Sequence, residues 1–358
     1  MSSFLMSLGA FIAVLSPLVF IHELGHYLAA KACGVHVERF SIGFGPKIFS
    51  WKDKSGTEWI FSWILLGGYV QMLGDGNVAS SVSQHVAAID HSRTMAGKTH
   101  MQRIGIAFAG PAVNYLLAFV LFVALFVHVG KPYHKTIVGV IAEESLSYKA
   151  GLRKNDRIQR VQDRSVKTFE DALKVVAHIP ATNALDLEIK RHNDVQTITL
   201  QPAAQASGFW LGKLKIGPEK NTRFYVPQSW GAAISDTLDM MNPVRMIKGL
   251  KLESMGGPIA IAHQAGNVIQ EGWVPVLFLM AALSLGLGFF NLLPLPVLDG
   301  GLIAMELLEL VLRRPLSAKV RQNITIGTFG LLALLFAYLS WGDLMRIPLI
   351  SGLVKKIV

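Results

Sequence analysis

Residues 4–26 read FLMSLGAFIAVLSPLVFIHELGH. The stretch carries no charge up to Ile21, then ends in His22, Glu23 and His26. An uncharged run of this length predicts a membrane-spanning helix, which needs roughly 20 mostly apolar residues. Ionisable side chains inside such a helix cost roughly 2.5–3.5 kcal/mol each on insertion scales, so three together need a reason. One reason is a helix end that has already reached the interface. The spacing offers another. His22 and His26 are four residues apart, so on a helix both imidazoles project from one face and can reach one ion. Glu23 beside them is placed to take a proton from metal-activated water, chemistry that zinc opens near neutral pH. HExxH also arises by chance, and the rest of the chain decides its weight.

Beyond that stretch, the composition points the same way. The 358 residues are 51% hydrophobic and 16% charged, against roughly 25% charged in ordinary soluble domains. The mean hydropathy is +0.42. A multi-pass α-helical membrane protein with room for one soluble domain is the expected class. The formal net charge of +10 does not imply nucleic-acid binding, because no basic helix or basic–aromatic stripe accompanies it. Positive loops flanking membrane helices account for it better. Cys33 is the only cysteine, which excludes an intramolecular disulfide. One thiol meets no metal-site spacing and reads as a buried or inert group. MSSFLMSLGA lacks a basic n-region and no small-residue cleavage site follows before HELGH, so the first span is expected to stay on the protein.

Four stretches are long and apolar enough to span or nearly so: 4–30, 104–129, 275–298 and 324–341. The loop RRPLSAKVR, residues 313–321, has four basic residues and no acid, which predicts a cytoplasmic position. The connection between the first two spans then lies on the same side, and its Lys31, Arg39, Lys47, Lys52, Lys54, Arg93, Lys98 and Arg103 agree. Both termini and residues 131–273 would face outward. Residues 38–73 are aromatic, β-branched and punctuated by glycine, with KDKSGTE as a hairpin turn. They suggest a β-hairpin dipping into the bilayer, where only protein or a water-filled cavity can shield non-helical backbone. Residues 76–100 read as a polar, mobile loop. TIVGVI, LDLEIKR and VQTITLQ read as strands and FEDALKVVAHI as an amphipathic helix of one soluble domain. Residues 229–252 read as amphipathic helix broken by Pro243, suited to the membrane surface.

A catalytic zinc site takes three protein ligands and keeps one position open. The candidates for the third ligand are Asp75, Asp299, Glu306 and Glu309, with Asp299 the strongest. It ends the run NLLPLPVLDGG, residues 291–301. Pro294 and Pro296 break the helix there, and Gly300 and Gly301 permit a tight turn after the acid. An ordinary helix end, with Asp299 capping GLIAMELLELVL, is the competing reading; HELGH in the same chain favours the ligand.

HELGH in the first span, NxxPxPxLDG in a later broken span and the core SLSYKAGLRKNDRIQRVQDRSV between them resemble the site-2 protease family, most of all its bacterial RseP-type branch. SIGFGP at 41–46 and GGYVQMLGD at 67–75 are similar to that branch's membrane re-entrant hairpin, GPAVNYLLA at 110–118 to its second-span motif, and MGGPIAIAHQAG at 255–266 to its segment before the third span. The soluble core resembles a bacterial PDZ domain. The division this implies is a first span with HExxH (1–30), a cytoplasmic re-entrant hairpin and loop (31–102), a second span (103–130), a PDZ domain (131–220), amphipathic linker helices (221–273), a broken third span (274–312), and a basic loop, fourth span and tail (313–358).

The resemblance implies one Zn2+ per chain, held by His22, His26 and Asp299, with Glu23 as general base. It implies Asn291 as a substrate-holding residue and the strand around Gly67, Gly68, Tyr69 and Val70 as the edge on which an unwinding substrate pairs. It implies an intramembrane endopeptidase of a bacterial inner membrane, with the PDZ domain extracytoplasmic and the active site toward the cytoplasm. Its substrates would be single-span proteins, an anti-sigma factor or remnant signal peptides, in regulated intramembrane proteolysis. Two departures stand out. Leu302 follows LDGG where relatives often have His, and Asn155 precedes Asp156 where Gly is usual; Asn tolerates the left-handed backbone that Gly would supply. About 90 residues hold one PDZ domain, not the tandem pair of many relatives.

His36, His85, His91, His100, His128, His134, His178, His192 and His263 have no ligand spacing; His91 and His100 in the polar loop could bind a stray metal, but solvated loop residues are the favoured reading. Asn114 in the second span could support the site or make a helix-packing hydrogen bond. Val138–Ile141 could bind a peptide terminus by strand addition, or the domain could screen access by size. Two rivals remain at this level. A catalytically idle PDZ membrane adaptor would need neither HExxH nor an intramembrane Asp. A metal transporter would usually carry paired inverted repeats, which these spans lack.

Overall fold

The computed structural model describes residues 2–74, 90–201, 210, 214–219, 223–249 and 257–345. The chain runs through α1 (Ser2–Ala32), β1 (Val37–Lys52), β2 (Glu58–Met72), α2 (His100–His128), β3 (Lys131–His134), β4 (Val138–Ile141), α3 (Leu146–Lys149), β5 (Arg157–Val161), β6 (Arg164–Ser165) and α4 (Phe169–Val176). It continues through β7 (Leu185–Arg191), β8 (Asp194–Leu200), β9 (Ile216–Pro218), β10 (Arg223–Val226), α5 (Trp230–Met240), α6 (Pro243–Gly249), α7 (Pro258–Glu271), α8 (Trp273–Asn291), α9 (Asp299–Leu312) and α10 (Ala318–Met345). Two compact units result: residues 1–125 with 231–358, and residues 126–230.

The first unit contains four helices long and apolar enough to cross a membrane, within α1, α2, α8 and α10. The protein is a multi-pass helical membrane protein. α1 packs on α7 and α8 through Ala10, Val14, Ala265 and Leu279. The apolar run of the third span continues to 298, but α8 stops at Asn291. The prolines explain the stop. Pro294 has no N–H to donate and its ring clashes with the carbonyl one turn back, so the helix cannot pass it. The chain then folds back over the first turn of α9. A β-carbon on Gly300 would lie 2.2 Å from the Leu292 carbonyl oxygen, and one on Gly301 would lie 2.2 Å from that of Leu295. Only glycine fits that crossing, and it carries Asp299 inward at the start of α9.

β1 and β2 form a two-stranded antiparallel hairpin. Its turn is organised by one carboxylate. Asp53 Oδ1 accepts from Ser55 N (2.8 Å), Ser55 Oγ (2.7 Å) and Thr57 N (3.0 Å). Its Oδ2 accepts from Trp59 Nε1 and, on α1, from the Tyr27 hydroxyl, each at 3.1 Å. Although desolvation opposes it, the hydrogen bonds from Ser55, Trp59 and Thr57 hold the Asp53 carboxyl well below the usual carboxylate range. On α10, Asp343 is buried and accepts from Gly257 N (3.1 Å) and Ala260 N (2.9 Å), capping the start of α7.

The second unit has its own core. β6-β5-β7-β8 form a four-stranded antiparallel sheet. In β7 the residues Leu185, Leu187 and Ile189 are fully buried, the period of two that a one-sided sheet requires. α4 buries Phe169, Ala172 and Val176 and is capped by Thr168, whose Oγ accepts from Asp171 N at 3.0 Å. Asp156 is buried and accepts from Arg191 Nε (2.7 Å), Arg191 Nη2 (2.8 Å) and Arg153 N (2.7 Å). Asn155 before it has φ of 72°, the left-handed backbone its position implied. β3 and β10 pair antiparallel, and β4 pairs with β9.

Candidate metal centre

α1 carries both histidines, and the fold brings Asp299 to them. His22 Nε2 lies 3.2 Å from Asp299 Oδ2, and His26 Nε2 lies 3.3 Å from Asp299 Oδ1. The two Nε2 atoms are 3.3 Å apart. Three donors bound to one zinc at ~2.0–2.1 Å with tetrahedral angles would stand ~3.3 Å from one another. The donor set is two imidazole nitrogens and a carboxylate that turns one oxygen to each, which suits Zn2+, and each of these separations is close to that spacing. These residues form a group able to hold a metal ion.

α2 forms the wall behind the histidines. His26 Nδ1 lies 2.8 Å from the Ile106 carbonyl oxygen. A carbonyl only accepts, so Nδ1 carries the hydrogen, and in the neutral ring Nε2 is left with its lone pair toward Asp299. A β-carbon on Gly25 would meet the Ala109 carbonyl oxygen at 2.6 Å, and one on Gly110 would meet His26 Nε2 at 2.2 Å. Two glycines therefore set how closely α1 and α2 approach at the metal group. The Asn114 amide lies 3.1 Å from His22 Nδ1, and Ser284 Oγ on α8 donates to the Asn114 carbonyl at 2.9 Å.

His22, Glu23, His26 and Asp299 line one cavity of about 720 Å³. Asn291, at the end of α8, lines it too, with Nδ2 3.4 Å from His22 Nε2. Gly67, Gly68, Tyr69 and Val70 of β2 form another wall. Gly68 is packed so tightly that a β-carbon would lie 3.0 Å from Cγ of Glu23. Glu58–Phe61 of β2 pair with two stretches of β1, Arg39–Ile42 and Phe49–Lys52, whereas Gly68–Met72 pair only with Val37–Ile42, so the other edge of that last stretch is unpaired among the described residues.

Glu306 and Glu309 on α9 are not in the His22–His26–Asp299 group: with His100 they form a second group whose atoms could hold an ion, shared with Arg103 and Arg321, and Glu306, Arg103 and Arg321 line the same cavity. Glu306 Oε2 is 2.8 Å from His100 Nδ1 and 3.1 Å from Arg103 Nη2, and Glu309 Oε1 is 2.6 Å from Arg321 Nη2. Two guanidinium groups already share these carboxylates. His100 is thus no solvated loop residue: it opens α2 and pairs with a buried acid. Its sequence neighbours are polar, and nothing local predicts a partner 206 positions away. Cys33 packs with Ala30, Val35 and Val37, apart from the metal group. Asp75 and His85, and most of the polar loop, lie outside the described residues.

The sequence left Asn114 open between supporting the site and packing helices, and assigned Ile106 and Gly110 of α2 no role. Ile106, Gly110 and Asn114 are spaced by four, one stripe along a helix. That spacing, in a span with a single asparagine, was the available signal.

A family model described as peptidase family M50 matches residues 10–335. Metalloprotease MmpA of Caulobacter vibrioides is 34% identical over 388 residues, covering 97% of this chain and 97% of its own. An inferred zinc metalloprotease of Mesorhizobium japonicum is 33% identical over 364 residues, covering 95% of this chain and 99% of its own. One from Streptococcus pyogenes is 28% identical over 415 residues, covering 94% and 98%.

Proposed function

Because the chain belongs to peptidase family M50, the site-2 protease family, and is a zinc metalloprotease, we propose that it cuts single-span membrane proteins inside their transmembrane segments. The observation that carries this reading is the cavity in which Glu23, the His22–His26–Asp299 group and the singly paired stretch of β2 at Gly68–Met72 meet.

His22, His26 and Asp299 would hold one Zn2+. When bound, the metal supplies a Lewis acid that acidifies water toward neutral pH and polarises a carbonyl. Glu23 accepts a proton from the attacking water, whose oxygen bonds to the scissile carbonyl carbon. As the carbon–nitrogen bond breaks, the Glu23 carboxyl returns that proton to the leaving nitrogen. Asn291 directs its Nδ2 into the cavity and donates to the substrate carbonyl oxygen. A transmembrane helix hides its peptide bonds, so the substrate must be extended before attack. Gly67, Gly68, Tyr69 and Val70 offer backbone groups to replace the hydrogen bonds lost on unwinding.

The hairpin enters the bilayer. Its Phe49, Trp51, Phe61, Trp63 and Ile64 are exposed, with Trp63 at 70%, a surface suited to lipid rather than water. The basic loop at 313–321 supports a reading in which that face is turned toward the cytoplasm of a bacterial inner membrane. The unit of residues 126–230 is then extracytoplasmic. Its sheet, helix α4 and left-handed Asn155 suit a PDZ domain that binds a peptide terminus or limits access by size. Substrates of this kind are an anti-sigma factor or remnant signal peptides, cut in regulated intramembrane proteolysis.

The test is cleavage of a tagged single-span protein in detergent micelles by wild type and Glu23→Gln, with zinc measured on both. Wild type cleaves; the variant keeps one zinc and loses activity by ~10²–10⁴-fold. Cleavage by Glu23→Gln at the wild-type rate, or none by zinc-loaded wild type across a panel of membrane substrates, overturns the reading.

A further inference from the structure

Asn114 is fully buried, and its amide nitrogen stands 3.1 Å from Nδ1 of His22. In that orientation the amide oxygen, also buried, has no hydrogen-bond partner among the described residues. The arrangement conflicts with the other nitrogen of the same ring. His22 Nε2 faces His26 Nε2 and Asp299 at 3.3 and 3.2 Å. If Nε2 offers its lone pair to a metal, the neutral ring must carry its hydrogen on Nδ1. An amide N–H pointing at Nδ1–H sets two donors against each other. Oxygen and nitrogen of an amide fill nearly the same volume, and the hydrogen-bond network decides which is which. A half-turn of the amide places Oδ1 on Nδ1–H and converts the clash into a hydrogen bond.

We infer that Asn114 is a positioning residue for the metal: its Oδ1 accepts the hydrogen of His22 Nδ1 and so fixes the tautomer and the plane of that ring. The inference rests on His22 being a ligand. It gives both histidines the same support from one stripe of α2. The Ile106 carbonyl accepts from His26 Nδ1, and Asn114, eight residues on, accepts from His22 Nδ1. Outer hydrogen bonds of this kind orient imidazole ligands and raise their basicity. The stripe is itself held, because Ser284 Oγ of α8 donates to the Asn114 backbone carbonyl. A neutral acceptor suits the location. A carboxylate there would put a further charge on an apolar span, beside a site where α1 and α9 already bring Glu23 and Asp299.

The experiment is chelator competition for Zn2+ on the purified full chain in detergent, comparing wild type, Asn114→Leu, Asn114→Asp and His22→Ala. The thermal midpoint of each metal-free variant, and its rise on adding zinc, separate metal affinity from folding. Asn114→Leu removes the acceptor at similar size and weakens zinc ~10–100-fold. Asn114→Asp can only accept when ionised, so it keeps wild-type affinity or tightens it. Wild-type affinity in a folded Asn114→Leu overturns the inference. So does loss of zinc by a folded Asn114→Asp, which would make the amide a donor that only packs helices. Should Asn114→Leu not fold, the Asp variant alone decides. Retention of zinc by His22→Ala overturns the ligand assignment itself, a failure distinct from that of Asn114.

Discussion

Gly110 stands against His26 with no room for a side chain: a β-carbon on Gly110 would lie 2.2 Å from Nε2 of the imidazole. The contact is to the atom that faces Asp299, so any side chain at 110 moves the metal group itself. Gly110→Ala is expected to lower zinc content and to cost at least ~100-fold in cleavage, the penalty of displacing a reacting group by about 1 Å. Gly105→Ala, on the same helix in open space, leaves both unchanged. Metal analysis and a cleavage assay on the pair check this.

Removing zinc is expected to abolish cleavage reversibly and to lower the thermal midpoint, because metal binding adds to the stability of the folded state. Asp299→Ala leaves two histidines and weakens zinc retention during dialysis against chelator. Undiminished retention by Asp299→Ala would remove it from the ligand set.

Glu306→Ala acts on stability rather than on the metal. It strips the buried carboxylate from Arg103 and His100 and leaves a guanidinium largely buried without its partner. Breaking such a pair costs ~3–5 kcal/mol, and the low end applies because His100 is 37% exposed. Denaturant unfolding in mixed micelles measures the loss, and zinc content stays at the wild-type value.

The hairpin turn is expected to hold over the physiological pH range and to loosen only in acid. The folded Asp53 carboxyl sits below its ordinary value, so its contribution is complete above pH ~4, the unfolded value. It is lost as pH falls below that toward the lowered folded value. Hydrogen exchange at the Ser55 and Thr57 amides, which donate to Asp53, reads this directly. In Asp53→Ala those amides exchange faster at neutral pH and lose the acid dependence.

How far the chain could be read in advance varies with the range of the interaction. The i, i+4 spacing of His22 and His26 is local, and so is the proline break that sets Asp299 at the start of α9. Both are visible in strings of ten residues. The strand pair on either side of KDKSGTE is equally local. The end of α8 is not fixed by hydropathy, because Leu292, Leu293 and Leu295 are apolar whether helical or looped; the prolines override the pattern. The pairing of His100 with Glu306 and the approach of Asn114 to His22 depend on which faces of distant helices meet. Hydropathy does not report which faces meet for a helix as apolar as α2, where Asn114 is the one strongly polar residue between 104 and 127. Asp343 is the same case: an acid in an apolar span reads as a cost until the bare start of α7 supplies two N–H groups.

The second unit enters and leaves through one doorway. Lys131 on β3 sits opposite Val226 on β10, and Gln228 N donates to the Phe126 carbonyl at 3.0 Å. Its ends are thus neighbours, and a connection of a few residues could replace everything between them. An insert with adjoining ends can be lost, doubled or exchanged without altering the path of the helices that build the metal group. The unit that holds the metal group can therefore keep its chemistry whatever chain is inserted between Phe126 and Trp230.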